Sequence, residues 1–413
     1  MSTPLRIAVR KFGPFESAIR KQYADFCART GCTLPLEAVP LDLNPLYDTL
    51  FTQGGLKDGT WDIAFIVTDW LAEAVEGGAL LDLAPLMAAN PVLDYPAGWA
   101  PSLTRVQQFG DAIYGLPYHD GPECLIYRRD LFEDPAEQAA YAERFDEPLS
   151  VPETWEQFER VARFFTRPER GQYGTIFAAY PDGHNTVYDF CLQLWSRGGE
   201  LTDAAGVPTL DTPQAVAALD FYRRLVNDRG VTPPDLTEID SVKSGERFAA
   251  GDIAMMVNWF GFAAVCEQPG CPVKGKVGVA LVPAGEGGQS SSLIVYWLLC
   301  IGSGSRHKET AYAFLRHCAT AAMDKLTTLE GGIGCRLSTW SDPEVNAAIP
   351  FYHRLTELHR STRALPRSRE LPRLIHVIDQ AVQRAILTDE PTEQILRQAQ
   401  QAAADIRLEG ETA

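Results

Sequence analysis

A chain of 413 residues is longer than one hydrophobic core ordinarily serves, so two domains are expected. The 46% apolar and 22% charged content is that of a globular protein, and the longest apolar run, Leu293 to Ile301, has nine residues where a membrane span needs about 20. The net charge of −17 repels a phosphate backbone, and no cluster of Lys and Arg interleaved with aromatics offsets it, which argues against a nucleic-acid partner.

The first residues run from Met1 straight into a strand-like segment, Leu5–Val9, with no charged start, apolar stretch and small-residue cleavage site ahead of it. The expected compartment is the cytoplasm if Met1 is the native start, and periplasmic or extracytoplasmic if a signal was removed. A helix is expected from about Glu16 to Arg29, a strand at Thr33–Val39 and a helix at Leu43–Phe51. Trp61–Val67 reads as a buried strand, with Asp69 as N-cap of a helix carrying Leu71, Ala74 and Val75. Such alternation argues for right-handed βαβ units and a mostly parallel sheet.

Between about Tyr118 and Phe262 the pattern turns helix-rich. Amphipathic helices are expected at Thr154–Phe165, Val187–Trp195 and Thr212–Asn227, with a strand at Ile253–Val257. Thr154 has the chemistry of an N-cap, with an acid in the first turn behind it. Strand patterns return in Lys276–Val282 and Leu293–Ile301, a helix follows at His307–Cys318, and the last 65 or so residues read as almost wholly helical. One lobe is thus expected to interrupt the other: residues 1–117 with 272–330, and 118–271 with 331–413.

The nine cysteines are an odd number, so not all can pair within the chain. Cys27 with Cys32, and Cys266 with Cys271, are each separated by four residues, a spacing compatible with a small disulfide loop or with buried free thiols. Neither forms the double pair of a zinc site, the seven histidines are scattered, and no metal or cofactor is expected. Gly270 to Lys276 has the spacing of a phosphate loop but continues with Val277 and leads into a strand, so it reads as a turn. Gly302 to Gly304 lacks a third glycine at dinucleotide spacing, and no nucleophile elbow occurs.

Aromatic and polar residues cluster instead at strand ends and breaks: Thr68-Asp69-Trp70, Tyr118-His119-Asp120-Gly121, Trp195 to Gly199, Asn258-Trp259-Phe260 and Tyr296-Trp297. A carbohydrate site needs flat apolar faces for sugar C–H groups, together with carboxylates, amides and Arg for hydroxyls. Each segment taken singly also fits a core or capping role, and Tyr296 and Trp297 alternate, so at most one can face a cleft.

Taken in order, several segments resemble the maltose-binding-protein superfamily, the sugar-type extracellular solute-binding proteins of ABC importers. These are Trp61 to Phe65 followed by Asp69-Trp70-Leu71, then Gly77 to Leu83, Asp111 to Tyr118, Leu125 to Phe132, Pro152 to Trp155, and Phe248 to Met256. The resemblance implies the two-lobed type II-like periplasmic-binding fold, each lobe a mostly parallel sheet flanked by helices, with a ligand cleft at the hinge and closure on binding. It places Asp69 and Trp70 on the first lobe, Tyr118, His119 and Asp120 at the crossover, and Trp195, Asn258, Trp259 and Phe260 on the second lobe. Gly288 to Ser291, with Ser290 and Ser291 as donors, would return to the first lobe. Lys11, Phe12, Tyr296, Arg336 and the stretch from Arg363 to Arg367 complete the candidate set. The implied partners are a sugar or sugar derivative and ABC permease subunits, and the implied state is a monomer. Two alternatives share the fold: a thiaminase-like group-transfer enzyme with Cys124 as nucleophile, and a sensor whose closed form another protein reads.

Overall fold

The computed structural model describes residues 3–408; Met1, on which the reading of the chain start rests, lies outside them. The chain divides into two compact units. The first runs to Gly121 and resumes over Val295–Thr356; the second comprises Pro122–Ile294 and residues 357–408.

The first unit is built on a five-stranded sheet in the order Leu36–Leu41, Leu5–Arg10, Ile63–Val67, Trp297–Ile301, Leu116–His119. The first three strands are parallel, and Trp297–Ile301 runs antiparallel to both of its neighbours. Every residue of Ile63–Val67 is buried, as the continuous apolar run requires of a strand covered on both faces. Helix Gly13–Thr30 buries Phe15, Ala18, Ile19, Gln22, Tyr23 and Phe26, a stripe at helical spacing. It ends at Gly31, whose φ of 72° lets its N–H reach the Cys27 carbonyl at 2.9 Å. The helix expected over Leu43–Phe51 breaks after Tyr47 into a π-helical turn, Asp48–Thr52.

Asp69 is not a helix cap. It sits inside a 3₁₀ turn, Thr68–Trp70, and the following helix Leu71–Glu76 starts behind Trp70 with no side-chain cap. Because the chain leaves the sheet through a tighter turn than an N-cap needs, the carboxylate at 69 is buried at the strand end instead.

The second unit corrects the expectation of a mostly parallel sheet. Its three strands, Met255–Trp259, Glu123–Arg128 and Val277–Ala280, are antiparallel throughout. All three are covered on both faces, so the apolar runs read the same in either direction, and only the long helical insertion between residues 128 and 255 fixes their polarity. Helices Asn185–Trp195, Pro213–Asn227, Leu371–Leu387 and Thr392–Ala402 pack together in this unit. Helix Trp155–Phe165 carries a full capping box: Thr154 Oγ1 accepts from the Gln157 N–H, and Gln157 Oε1 accepts from the Thr154 N–H.

The apolar run Leu293–Ile301 is two strands, not one. Ser292–Leu293 pairs with Thr362–Arg363 in the second unit, and Trp297–Ile301 pairs in the first, so the chain passes between units at Ile294/Val295. The other crossings are Gly121/Pro122 and Thr356/Glu357. The unit order is that of an interrupted lobe, but with boundaries other than 117, 272 and 330. Residues 272–294 stay with the second unit because Val277–Ala280 pairs with Leu125–Arg128. Residues 331–356 stay with the first, where buried Asp324 accepts from the N–H groups of Cys335 (2.7 Å) and Arg336 (3.1 Å). Gly121, at a crossing, has φ of 136°, a conformation that side chains with Cβ rarely adopt.

Arg336 is 3% exposed, and its guanidinium stacks 4.4 Å from the Trp99 ring. Its Nη1 donates to the Ala319 carbonyl at 2.9 Å and its Nη2 to Asp94 at 3.0 Å, tying three segments of the first unit. Arg336→Ala leaves a buried carbonyl without its donor and opens a void against Trp99, so a loss of about 3 kcal/mol is expected. Urea unfolding of the variant, with a midpoint unchanged from the native protein as the contrary outcome, measures it.

Candidate functional site

The first unit gathers its candidate residues at one edge of the sheet. The parallel strands Leu5–Arg10 and Ile63–Val67 end there, delivering Lys11 and Phe12 from one and Thr68, Asp69 and Trp70 from the other. Leu116–His119 points the same way and delivers His119 and Asp120. Trp297 begins the antiparallel strand at this edge, opposite both Val67 and His119. The carboxyl ends of strands in an open α/β sheet are where ligands bind, because loops and helix starts there leave polar groups unpaired by the sheet.

The aromatic rings at this edge hold one another at right angles. Trp70 lies 6.1 Å from Trp297, 5.2 Å from Tyr47 and 5.9 Å from Phe51, all edge to face. Phe12 packs on Phe15 at 5.0 Å, and Phe15 on His119 at 4.7 Å. Tyr47 donates to Glu73 at 2.9 Å. His119 Nδ1 accepts from the Ile333 N–H at 2.8 Å, and burial pushes its pKa down to about 4 against the opposing pull of Asp120. The ring is therefore neutral at pH 7 and carries its proton on Nε2. Asp69 and Asp120 are both buried.

Two aromatics of the candidate set turn away from the edge. Tyr118 donates to Gln22 Oε1 (2.9 Å) and Tyr296 to Gln107 Oε1 (2.7 Å), both inside the core. Trp297, half-buried, takes the edge position instead of Tyr296. Lys11 is exposed and pairs with Asp42 at 3.2 Å. Arg336 serves the interior contacts given above.

In the second unit Trp259 ends the strand Met255–Trp259, half-buried, directly opposite Glu123 in the ladder. Tyr188 meets it edge to face at 5.8 Å. Asn258 fixes this strand end: its Oδ1 accepts from the Trp259 N–H at 2.8 Å while its Nδ2 donates to Ser244 Oγ at 2.8 Å. Phe260 starts the next helix fully buried, so of the two adjacent rings it is Trp259 that reaches the surface. Trp195 is 3% exposed, under the Arg363 guanidinium at 4.9 Å, and its buried Nε1–H has no acceptor. Arg363 in turn pairs with Glu200 through Nη1 at 3.1 Å.

Ser290 and Ser291 belong to this unit, not the first. The preceding turn is welded to Ser196, whose carbonyl accepts from the Gly285 N–H at 2.9 Å. A Cβ at Gly288 would stand 2.0 Å from that same oxygen. Arg197 alongside is held by the Gln193 carbonyl (2.9 Å) and by Phe221 (4.8 Å), and burial lowers its pKa to about 10.

Two acids escaped the sequence reading. Glu123 opens the buried strand Glu123–Arg128, and Asp189 sits on the buried helix Asn185–Trp195. Asp189 Oδ2 accepts from Tyr222 at 2.8 Å. Glu123 Oε2 is buried with no donor, and burial next to Asp189 pushes this carboxyl well above the usual range. Burial likewise raises Asp189 to about 7, against the Tyr222 hydrogen bond that favours the anion. A carboxylate inside a mostly apolar strand or helix was the signal that could have found them. Among the described residues no group of three or more His, Cys, Asp and Glu is placed to hold a metal ion.

Asp189 has a pH signature of definite sign. Between about pH 4 and pH 7 the folded chain keeps its proton while the unfolded chain has lost it, so stability falls as pH rises through this window. His119 acts oppositely, since only the unfolded chain protonates it between about pH 6.5 and pH 4. The difference between the native protein and Asp189→Asn cancels the His119 contribution and leaves that of the Glu123–Asp189 pair. The variant should gain on the order of 2–4 kcal/mol relative to the native protein on going from pH 4 to pH 7.5. Parallel stability–pH curves for the two proteins would disprove the assignment.

The sequence profile of the family described as bacterial extracellular solute-binding protein matches residues 13–325. A probable ABC transporter-binding protein of Deinococcus radiodurans is 26% identical over 352 residues, 84% of this chain and 79% of that protein. The mannitol-binding protein of Pseudomonas aeruginosa is 26% identical over 328 residues, 77% of this chain and 70% of that protein. Among solved structures, an ABC transporter solute-binding protein from Agrobacterium radiobacter in complex with ribitol superposes with a TM-score of 0.85 at 24% identity, covering 98% of both chains. One from Agrobacterium vitis with bound D-mannitol gives a TM-score of 0.82 at 21% identity, covering 97% of both. These structures share the type II periplasmic-binding fold with the present one. The family profile spans most of the chain, and the protein is a member of the bacterial extracellular solute-binding protein family.

Proposed function

We propose that the chain is the solute-binding component of an ABC importer and that its solute is a carbohydrate or carbohydrate derivative, sugar alcohols included. The single observation that carries this reading is the edge of the first unit's sheet, where Phe12, Trp70 and Trp297 stand beside the buried carboxyls of Asp69 and Asp120. A polyhydroxylated solute presents C–H patches and hydroxyl rims, which such rings and carboxyls complement. Trp259 and the buried Glu123 carboxyl offer the same chemistry in the second unit. The mannitol-binding relative and the ribitol- and mannitol-bound structures are proteins of this family or fold whose ligands fit that chemistry. On this reading the partners are permease subunits, the working state is a monomer and the working compartment is extracytoplasmic. Among the described residues no helix is long and apolar enough to cross a membrane.

The family and its structural neighbours are binding proteins. Cys124, the residue a group-transfer enzyme of this fold would use, is fully buried in the middle strand of the second unit's sheet. A nucleophile needs access to its substrate, so this burial supports the binding reading.

Thermal unfolding across mannitol, ribitol, maltose and sugar acids tests the reading directly. A ligand at about a hundred times its Kd adds roughly 2.7 kcal/mol and raises the midpoint visibly. A panel in which no carbohydrate or sugar alcohol shifts the midpoint would count against it. With a ligand in hand, Trp297→Ala and Trp259→Ala should each raise Kd about 10- to 100-fold, or roughly 1.4–2.7 kcal/mol, in calorimetry. Cys124→Ser should leave Kd within about twofold, and the solute should be recovered chemically unchanged; turnover lost in that variant alone would support the enzyme reading.

A further inference from the structure

The four cysteines of the two Cys-x₄-Cys segments have no place in the solute-binding reading, yet the fold brings each pair together. In the first unit Tyr23 and Cys27 lie one turn apart on the same face of helix Gly13–Thr30. The left-handed Gly31 turns the chain back over that face, so that Cys32 Sγ comes to 3.8 Å from the Tyr23 hydroxyl, one turn from Cys27. Tyr23 is itself anchored on the Leu34 carbonyl at 2.8 Å, which fixes the returning segment.

The second unit repeats the arrangement with different contacts. Helix Phe260–Val265 ends at Cys266, whose thiol donates to the Phe262 carbonyl at 3.2 Å. Successive tight turns, with Gly270 at φ of 86°, bring Cys271 back, where its N–H donates to the Gln268 carbonyl and its thiol lies 3.6 Å from the Ala249 carbonyl. The turns carry Cys271 back toward the end of the helix that Cys266 closes, and burial, with Cys271 adding to it, pushes the Cys266 thiol up. The remaining five cysteines, Cys124, Cys191, Cys300, Cys318 and Cys335, are all buried, whereas Cys27, Cys32 and Cys271 keep some exposure. An oxidant can therefore reach one member of each pair at least.

We propose that Cys27–Cys32 and Cys266–Cys271 are two disulfide sites, one in each unit, formed by thiol–disulfide exchange with a low-molecular-weight disulfide or a dithiol oxidase. The thiolate of one cysteine attacks the oxidant's S–S bond and releases one thiol; its neighbour's thiolate then displaces the second. Each site gains one S–S bond and gives up two protons and two electrons, which leave as the two thiols of the reduced oxidant. A family described as extracellular meets such oxidants, and each pair closes a short loop of six residues.

The full-length protein, purified, is incubated with oxidised glutathione, denatured without reductant and alkylated with a maleimide. Five thiols should label after oxidation and all nine after reduction, since two disulfides remove four of the nine cysteines. Trypsin cuts after Arg29, so Cys27 and Cys32 should appear as two peptides joined by a linkage that reductant breaks. No Lys or Arg lies between Cys266 and Cys271, so that site should read as one peptide lighter by about 2 Da. Cys32→Ser and Cys271→Ser should each raise the oxidised count from five to six, because the orphaned partner then labels. Nine labelled thiols after oxidation, linkages joining other cysteines, or glutathione retained on single residues would overturn the proposal, and a linkage in one unit only would overturn it for the other.

Discussion

Full burial of the strand Ile63–Val67 is the constraint on which the first unit depends. A strand in that position must have both edges hydrogen-bonded, because an unpaired buried N–H or C=O costs more than most single contacts return. Leu5–Arg10 satisfies one edge from nearby in sequence, and Trp297–Ile301 satisfies the other after Pro122–Ile294 of the second unit has been traversed. The chain is thereby obliged to leave and return. The return in the antiparallel sense sets Trp297 beside Val67, at the edge where the parallel strands end. The clustering of Phe12, Trp70, His119 and Trp297 follows from that pairing.

The second unit solves a different problem, the placement of two acids in an apolar interior. Glu123 and Asp189 could be replaced by apolar groups at no loss to packing, and burial of a charge without full compensation is costly. Tyr222 supplies one hydrogen bond to Asp189, and burial beside Asp189 pushes the Glu123 carboxyl well above the usual range. Together with the unsatisfied Trp195 indole N–H, this makes the region a place where stability is held below what an apolar core would give. Such arrangements belong to sites that trade folding free energy for recognition.

What the residues made legible was local or periodic. The capping box at Thr154 needs only four consecutive residues, and the strand before Thr68 announces itself by its unbroken apolar run. Helices Gly13–Thr30, Asn185–Trp195 and Pro213–Asn227 follow from their spacing of apolar residues. Strand-end aromatics such as Trp70 and Trp259 could be singled out because rings at chain breaks are unusual in a uniform core pattern. Asp69 as a cap failed, since cap and strand-end acid share one sequence signature and only the 3₁₀ turn separates them.

By itself the sequence determined most of the helices and the buried strand Ile63–Val67, because each depends on residues close together or on a simple period. Tertiary structure alone decided the rest. It broke Leu293–Ile301 into strands of two different units, made the second sheet antiparallel, and turned Tyr118 and Tyr296 inward onto Gln22 and Gln107 while Trp297 took the edge. It also brought Glu123 near Asp189 and returned Cys32 to the Tyr23 hydroxyl. A buried strand reads alike in either direction and a ring reads alike facing core or edge, so the partners that settle these questions, lying far away in the chain, leave no local mark.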